Sequence, residues 1–285
     1  MSTVMKPLAL ALALAACTKT ERAKDVTPSP AMSADARARQ ILDAQIAALR
    51  SRGDAIVATF SPDAIVLVPD AREAKTAPML RDAIARTSPH QAVADIKLVK
   101  LVAGARDGAT WWSAELDVAI TRGEPETGDR GGTAHVRVTE LATSDAGWKV
   151  VAAAFSEPSA LGMQRAAPSP IPSTTDAGPL SALVLGTKLH DALAADPSVT
   201  VFGTDKDESA YGPAAARALA AKWTHADVAL QGKPREVRGT SWGFAIANVD
   251  LNAPGNRFPS RMAALVIAVP DGDAWRVVAA HYTAI

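Results

Sequence analysis

His281 is the side chain in this sequence best suited to proton transfer. Strand alternation puts it on one face with Trp275, Val277 and Ala279, and an imidazole in an apolar pocket could act as a general base. It could equally be a core histidine with satisfied hydrogen bonds, because no second polar group can be set beside it from sequence. Trp111, Ser113, Glu115 and Asp117 alternate against Trp112, Ala114, Leu116, Val118 and Ile120. Glu115 and Asp117 are therefore either an acid pair or part of a solvated or interdomain face. Asp70 with Glu73, and Asp205 with Glu208, follow a strand and precede a proline-led helix, where carboxylates suit turn geometry and the helix dipole better than a ligand. His225-x-Asp227 and the His190–Asp191 neighbours lack the His-to-His spacing of a metal site, so neither a metal nor a cofactor is expected. Trp111, Trp242 and Trp275 could line an apolar ligand pocket together with His281; core packing and a seam between sheets use tryptophan in the same way.

Lysine plus arginine equals aspartate plus glutamate at 30 each, so no electrostatic field draws the protein to nucleic acid. Apolar residues make up 48% and aromatics 5%, which fits a globular body rather than a membrane-spanning one. The length of 285 residues suits two domains, each able to bury its own core. There is one cysteine, which excludes an intramolecular disulfide. It follows a basic start ending at Lys6 and the apolar run Leu8-Ala9-Leu10-Ala11-Leu12-Ala13-Leu14, in the stretch Leu14-Ala15-Ala16-Cys17. This stretch resembles the lipobox of bacterial lipoproteins. The resemblance implies a signal peptide over 1–16, lipid on Cys17 as the mature N-terminus, and attachment to a membrane in the cell envelope. Thr18, rather than aspartate, implies the periplasmic side of the outer membrane.

Residues 17–33 contain Pro28 and Pro30 and no apolar period, the pattern of a tether. The helical spacing of Ile41, Leu42, Gln45, Ile46 and Leu49 then predicts a helix capped by Ser33, and Ile56, Val57 and Phe60 suggest a further turn before Pro62. A buried strand over 64–68 and a short helix over 78–86 precede four β segments near 93–102, 110–121, 134–142 and 148–156. Pro168-Ser169-Pro170-Ile171-Pro172-Ser173 marks a linker over 158–178, after which the order returns: a helix near 180–193, a strand at 199–202, a helix at 213–223, then strands.

The return can be followed by residue. Asp70, Glu73 and Pro78 match Asp205, Glu208 and Pro213 at a spacing of 135; Trp111, Ala114 and Val118 match Trp242, Ala245 and Val249 at 131; Trp148-Lys149-Val150-Val151 matches Trp275-Arg276-Val277-Val278 at 127. On these matches His281 answers to Ala154, and Glu115 and Asp117 answer to Ile246 and Asn248. The fold class is therefore α+β, as two tandem copies over 34–157 and 179–285.

The order helix, strand, Asp-x-x-Glu, proline-led helix, long strands and a final Gly/Ala-Trp-Lys/Arg-Val-Val resembles the SnoaL-like, or nuclear-transport-factor-2-like, superfamily. The resemblance rests on Gly53-Asp54 to Phe60-Ser61-Pro62-Asp63-Ala64 in the first copy, and on Val201 to Glu208, Tyr211-Gly212 and Trp275 to Thr283 in the second. It implies helices packed on a curved antiparallel sheet in a cone, often with an internal pocket, and two cones paired as an internal pseudo-dimer. Such folds serve many activities, so three expectations stand: non-catalytic binding of a small apolar ligand or protein partner, an isomerase or lyase using His281, or a structural scaffold.

Overall fold

The computed structural model describes residues 32–51, 54–68, 74–87, 91–122, 132–158, 178–184, 186–224, 226–252 and 260–284. Cys17, Asp70, Glu73 and His225 lie outside them, as do the signal peptide expected over 1–16 and most of the tether expected over 17–33 and of the linker expected over 158–178. The first half runs α1 (Ala34–Arg50), a 3-10 helix (Asp54–Thr59), β1 (Phe60–Leu67), β2 (Lys75–Thr76), α2 (Ala77–Thr87), β3 (Gln91–Arg106), β4 (Ala109–Arg122), β5 (Gly132–Thr143) and β6 (Lys149–Ser156). The second runs a 3-10 helix (Ser181–Val184), α3 (Gly186–Ala192), β7 (Thr200–Phe202), β8 (Ser209–Tyr211), α4 (Pro213–Trp223), β9 (Asp227–Arg238), β10 (Gly243–Asn252), β11 (Ser260–Asp271) and β12 (Ala274–Ala284).

Ser33 caps α1, its hydroxyl accepting the Ala36 N–H at 3.2 Å, and the buried stripe is Ala38, Ile41, Leu42, Gln45 and Ala48. Gln45 is the polar member of that stripe. The turn expected to reach Pro62 stops earlier: the strand begins at Phe60, and Pro62 falls in the interrupted stretch of the β1–β6 ladder between Phe60 and Ile65, where its missing N–H is tolerated. The single helix expected near 180–193 is two short ones. Leu180, Val184, Leu189 and Leu193 are all buried, but their intervals of four, five and four let the apolar face slip, and a break restores it.

The two sheets have one strand order, β2-β1-β6-β5-β4-β3 and β8-β7-β12-β11-β10-β9. Each is mixed rather than antiparallel throughout, since β1 lies parallel to β6 and β7 to β12. The first strand of each half reaches its partner only after the three long strands have been laid down, and that long return permits the parallel slot. Both sheets also carry the same bulge. Leu141 faces Ala152 while Ala142 faces Val150, leaving Val151 extra; Ile267 faces Ala279 while Ala268 faces Val277, leaving Val278 extra. The duplication read from sequence is thus present in topology and in its irregularities.

Counting from the bulges gives the residue correspondence. Phe244 opposite Ile267 stands where Trp111 stands opposite Leu141, and Ala245 opposite Val266 stands where Trp112 stands opposite Glu140. Trp111 therefore answers to Phe244 and not to Trp242, which precedes β10 and stacks on Phe244 with ring centroids 6.3 Å apart. Asp117 likewise answers to Asp250 and not to Asn248. The pairs Asp117–His135 and Asp250–Arg261 occupy one ladder position in the two sheets, so one member of the acid pair is repeated after all.

Each sheet has two apolar faces. Trp112, Ala114 and Leu116 turn toward the helices, among Ile41, Leu42, Phe60 and Leu80. Trp275 lies on the matching face of the second sheet with Leu180, Ala245 and Ala268. On the other faces Trp111, Leu141, Ala152 and Ala154 share one cluster with Leu193, Val201, Phe244, Ile267 and Ala279.

Candidate functional site

Along β5 the residues Val138, Glu140 and Ala142 point to the helix-covered side, so a carboxyl stands in an apolar row. Trp112 on β4 and Ala153 on β6 flank it, and Gln45 of α1 comes down on it. The Gln45 amide donates to Glu140 Oε1 at 2.9 Å and to Thr59 Oγ1 at 3.3 Å, while the Thr59 hydroxyl donates to the Ile56 carbonyl at 2.7 Å. Glu140 is wholly buried, and burial pushes its pKa from 4.5 up to about 8, against the opposing pull of Gln45 and Trp112. At neutral pH the acid is therefore mostly protonated. Trp112 Nε1 and Glu140 Oε2 are both buried, the indole N–H lies close enough to pull on the carboxyl, and neither atom has another hydrogen-bond partner among the described residues. A neutral carboxyl and an indole N–H that converge in an apolar interior can grip one polar atom of a visiting molecule. In the second half Val266 and Ala245 hold these positions, so the constellation occurs once.

His281 lies elsewhere. The bulge at Val278 moves it off the face of Trp275: Tyr282 is the residue turned inward, its hydroxyl donating to the Val184 carbonyl at 3.1 Å and its ring meeting Trp223 at 5.0 Å. His281 instead faces the first half, Nδ1 at 3.0 Å from Thr139 Oγ1 and Nε2 at 2.7 Å from Ser156 Oγ, with Phe202 edge-on at 5.3 Å. It is 0% exposed, and burial with the nearby Arg137 charge lowers its pKa to about 3. Both ring nitrogens are engaged, so the imidazole reads as a structural group between the halves and not as the base of a pocket.

Arg137 enters the same zone from β5. Its guanidinium donates to the carbonyls of Gly203, Asp205 and Lys206 at 3.0, 2.9 and 2.7 Å and lies 5.5 Å over the Phe202 ring. Burial lowers its pKa, and Glu115 pulls it back up. Replacing Arg137 by methionine removes its donors to the Gly203 and Lys206 carbonyls and one of two to Asp205, whose carbonyl also accepts from the Glu208 N–H at 3.0 Å. The expected loss is about 2–3 kcal/mol in denaturant unfolding, and no change would show that the anchoring is dispensable.

Glu115 accepts from the Tyr211 hydroxyl at 2.6 Å and lies 3.2 Å from His135, whose other nitrogen is 2.9 Å from Asp117. Burial raises the Glu115 pKa, but Tyr211, Ser209, His135 and Arg137 carry it below the ordinary value. The interdomain alternative for this face fits Glu115, since Tyr211 belongs to the second half. Glu208 closes a turn, accepting from Asp205 N at 3.1 Å and Trp223 Nε1 at 3.3 Å, which is the structural role expected of it. His190 lies 2.9 Å from its neighbour Asp191. Of the tryptophans proposed to line a pocket with His281, Trp111 and Trp242 share the cluster common to both sheets, and Trp111 donates to Ser198 Oγ at 3.1 Å. Trp275 alone lies on a helix-covered face, so the four residues do not come together.

Glu140 has a readable trace in the sequence. Val136, Val138, Glu140 and Ala142 alternate as one face, and Gln45 interrupts an apolar helical stripe. Neither feature is informative until the fold places one above the other.

No protein-family model matches the sequence, and no curated protein is similar enough to count as a relative. Solved structures similar to it include a ketosteroid isomerase-like protein and nuclear-transport-factor-2-like proteins, and the three described next each cover less than half of this chain. A ketosteroid isomerase-like protein from Erwinia carotovora atroseptica is 14% identical, covering 42% of this chain and 93% of its own, at a TM-score of 0.36. A nuclear transport factor 2 superfamily protein from Salmonella enterica serovar Typhimurium is 12% identical, covering 47% and 97%, at 0.38. A nuclear-transport-factor-2-like protein from Cytophaga hutchinsonii is 13% identical, covering 42% and 94%, at 0.35.

Proposed function

We propose that this protein is an exported lipoprotein, held to a membrane at Cys17, whose first half binds a small apolar molecule carrying one carbonyl or hydroxyl group. The observation that supports the binding reading is the buried pair of Glu140 Oε2 and Trp112 Nε1, which have no partner but each other among the described residues. The polar atom of the ligand would accept from the Glu140 O–H and the Trp112 N–H, and its apolar body would replace contacts among Ile41, Phe60 and Leu80. The second half, with Ala245 and Val266 at the same place, would act as a packing partner within an internal pseudo-dimer. The hydrogen bonds of His281 and Arg137 across the two halves support that role.

A thermal-shift screen of sterols, aromatic ketones and phenols tests the binding reading. A carbonyl- or hydroxyl-bearing compound should raise the midpoint of the wild type, and Trp112→Phe with Glu140→Gln should weaken its binding by about tenfold or more. Equal shifts in wild type and variants, or none in the wild type, would sink it. The anchor is tested separately, by loss of membrane partitioning in Cys17→Ser.

One observation favours a second reading, an isomerase or lyase. A carboxyl with a pKa of about 8 has both protonation states accessible near neutrality, the condition for general acid–base work. Glu140 would then take the part that the sequence suggested for His281. Hydrogen–deuterium exchange at the carbon beside the bound carbonyl, present in wild type and abolished in Glu140→Gln, would distinguish turnover from binding.

A further inference from the structure

The contact of Tyr211 with Glu115 has a mate under the internal duplication, and there the space is open. In the first sheet Lys100 stands opposite Glu115, and Tyr211 from β8 of the second half packs onto both. Its hydroxyl donates to Glu115 at 2.6 Å, and its ring centroid lies 3.5 Å from the Lys100 ammonium. Ser209 gives the same carboxylate a second side-chain donor. The ladders supply the mate of each residue. Gln231 stands opposite Asn248 where Lys100 stands opposite Glu115, and Thr76 stands opposite Ile65 where Tyr211 stands opposite Thr200. Ala74, two residues before Thr76, therefore answers to Ser209.

With threonine in place of the tyrosine and alanine in place of the serine, a cavity of about 250 Å³ lies between Ala74 of the first half and β9 and β10 of the second. The edge strand β9 is also bent there. Gly232, Lys233 and Pro234 together face Ala247, whereas Leu101 alone faces Ala114 in the first sheet, and Gly232 takes the positive φ of 65° that this bulge requires. Ala74, Ile246 and Ala247 give the cavity apolar walls, and Gln231 gives it an amide. Gln231 is 8% exposed, and its Oε1 has no hydrogen-bond partner among the described residues. A buried acceptor without a donor is costly, so the site favours a visitor that brings one. Lys233 and Arg235 are the charged residues of the lining and no carboxylate is among them, which disfavours a cation.

We propose that this cavity binds a small phenol, uncharged or anionic, its O–H donated to Gln231 Oε1 and its ring against Ala74, Ile246 and Ala247, in the place that the Tyr211 ring takes in the mate. A cavity of roughly 150 Å³ suffices for a benzene ring, so the volume admits one substituted ring. Because both halves build the walls, such a ligand would also brace one half against the other.

Calorimetric titration of the full chain with phenol, anisole and tyramine tests the proposal. Phenol should bind about tenfold more tightly than anisole, which keeps the ring and the oxygen but has no O–H, and more tightly than tyramine, which carries an ammonium. Thr76→Tyr supplies the ring that fills the mate and should abolish phenol binding. Gln231→Met should weaken it by about tenfold. Methionine keeps the length of the side chain and removes an amide whose oxygen has no partner, so the thermal midpoint should not fall, which separates loss of the site from loss of the fold. Glu140→Gln should leave this binding unchanged, which separates the cavity from the site in the first half. Anisole or tyramine binding as tightly as phenol, phenol binding that survives both Thr76→Tyr and Gln231→Met, binding lost only in Glu140→Gln, or no binding of phenol would overturn the proposal.

Discussion

Replacing Glu140 by glutamine should remove a destabilising contribution that Glu140 makes as the pH rises from 4.5 to 8. The folded protein holds the Glu140 proton up to about pH 8, whereas the unfolded chain releases it near 4.5. The contribution of Glu140 to folding is therefore complete below pH 4.5, falls by about 1.4 kcal/mol per pH unit above it, and is gone beyond pH 8. The full span corresponds to roughly 5 kcal/mol, a large fraction of the stability of an ordinary domain. Glutamine keeps the shape and the contact to Gln45 but cannot ionise. Denaturant unfolding of both proteins at pH 5 and pH 9 should show the variant gaining about 3–5 kcal/mol on the wild type across that interval. Parallel pH profiles would mean that Glu140 is solvated in the folded protein, and the binding reading would lose its chemical basis as well.

The sequence shows the architecture of this protein more plainly than its chemistry, and the reason lies in how each is encoded. Strand and helix periods are local, so α1 with its Ser33 cap, α4 over Pro213–Trp223 and the four long strands of the first half can be read directly. The duplication is legible because Trp148-Lys149-Val150-Val151 and Trp275-Arg276-Val277-Val278 keep their wording. A bulge leaves no such mark. Val278 looks like any strand valine, yet it reverses the alternation beyond it and carries His281 from one face of β12 to the other. The candidate base was misplaced for that reason. Glu140 was missed because its meaning depends on Gln45 and Trp112, contributed by α1 and β4, and no local pattern joins the three. Trp111 and Trp242 form a case between these: their shared spacing is real in sequence, but the ladder assigns Phe244 to the equivalent position, because the turn between β9 and β10 places Trp242 outside the strand.

The second large effect has the opposite sign and falls on His281. Burial and Arg137 hold its folded pKa at about 3, against 6.5 for an exposed histidine, so protonation opposes the folded state. Its contribution is complete above pH 6.5 and is lost at about 1.4 kcal/mol per unit as the pH falls toward 3. Between pH 4.5 and 6.5 this slope and that of Glu140 are equal and opposite, so the wild type should be nearly flat there. The flatness conceals two titrations, and single variants expose them. His281→Gln, whose amide can still meet Thr139 and Ser156, should become less stable with rising pH across that interval, while Glu140→Gln should become more stable, each by about 2–3 kcal/mol. Their double variant should be flat again, because the two groups lie on opposite faces of different sheets and share no hydrogen-bond partner. A single variant that stays flat from pH 4.5 to 6.5 would show that its own group is not held in the protonation state that its burial imposes. Loss of additivity in the double variant would show instead that the helix-covered interior of the first half and the zone between the halves are energetically coupled, which would make occupancy at Glu140 felt at His281.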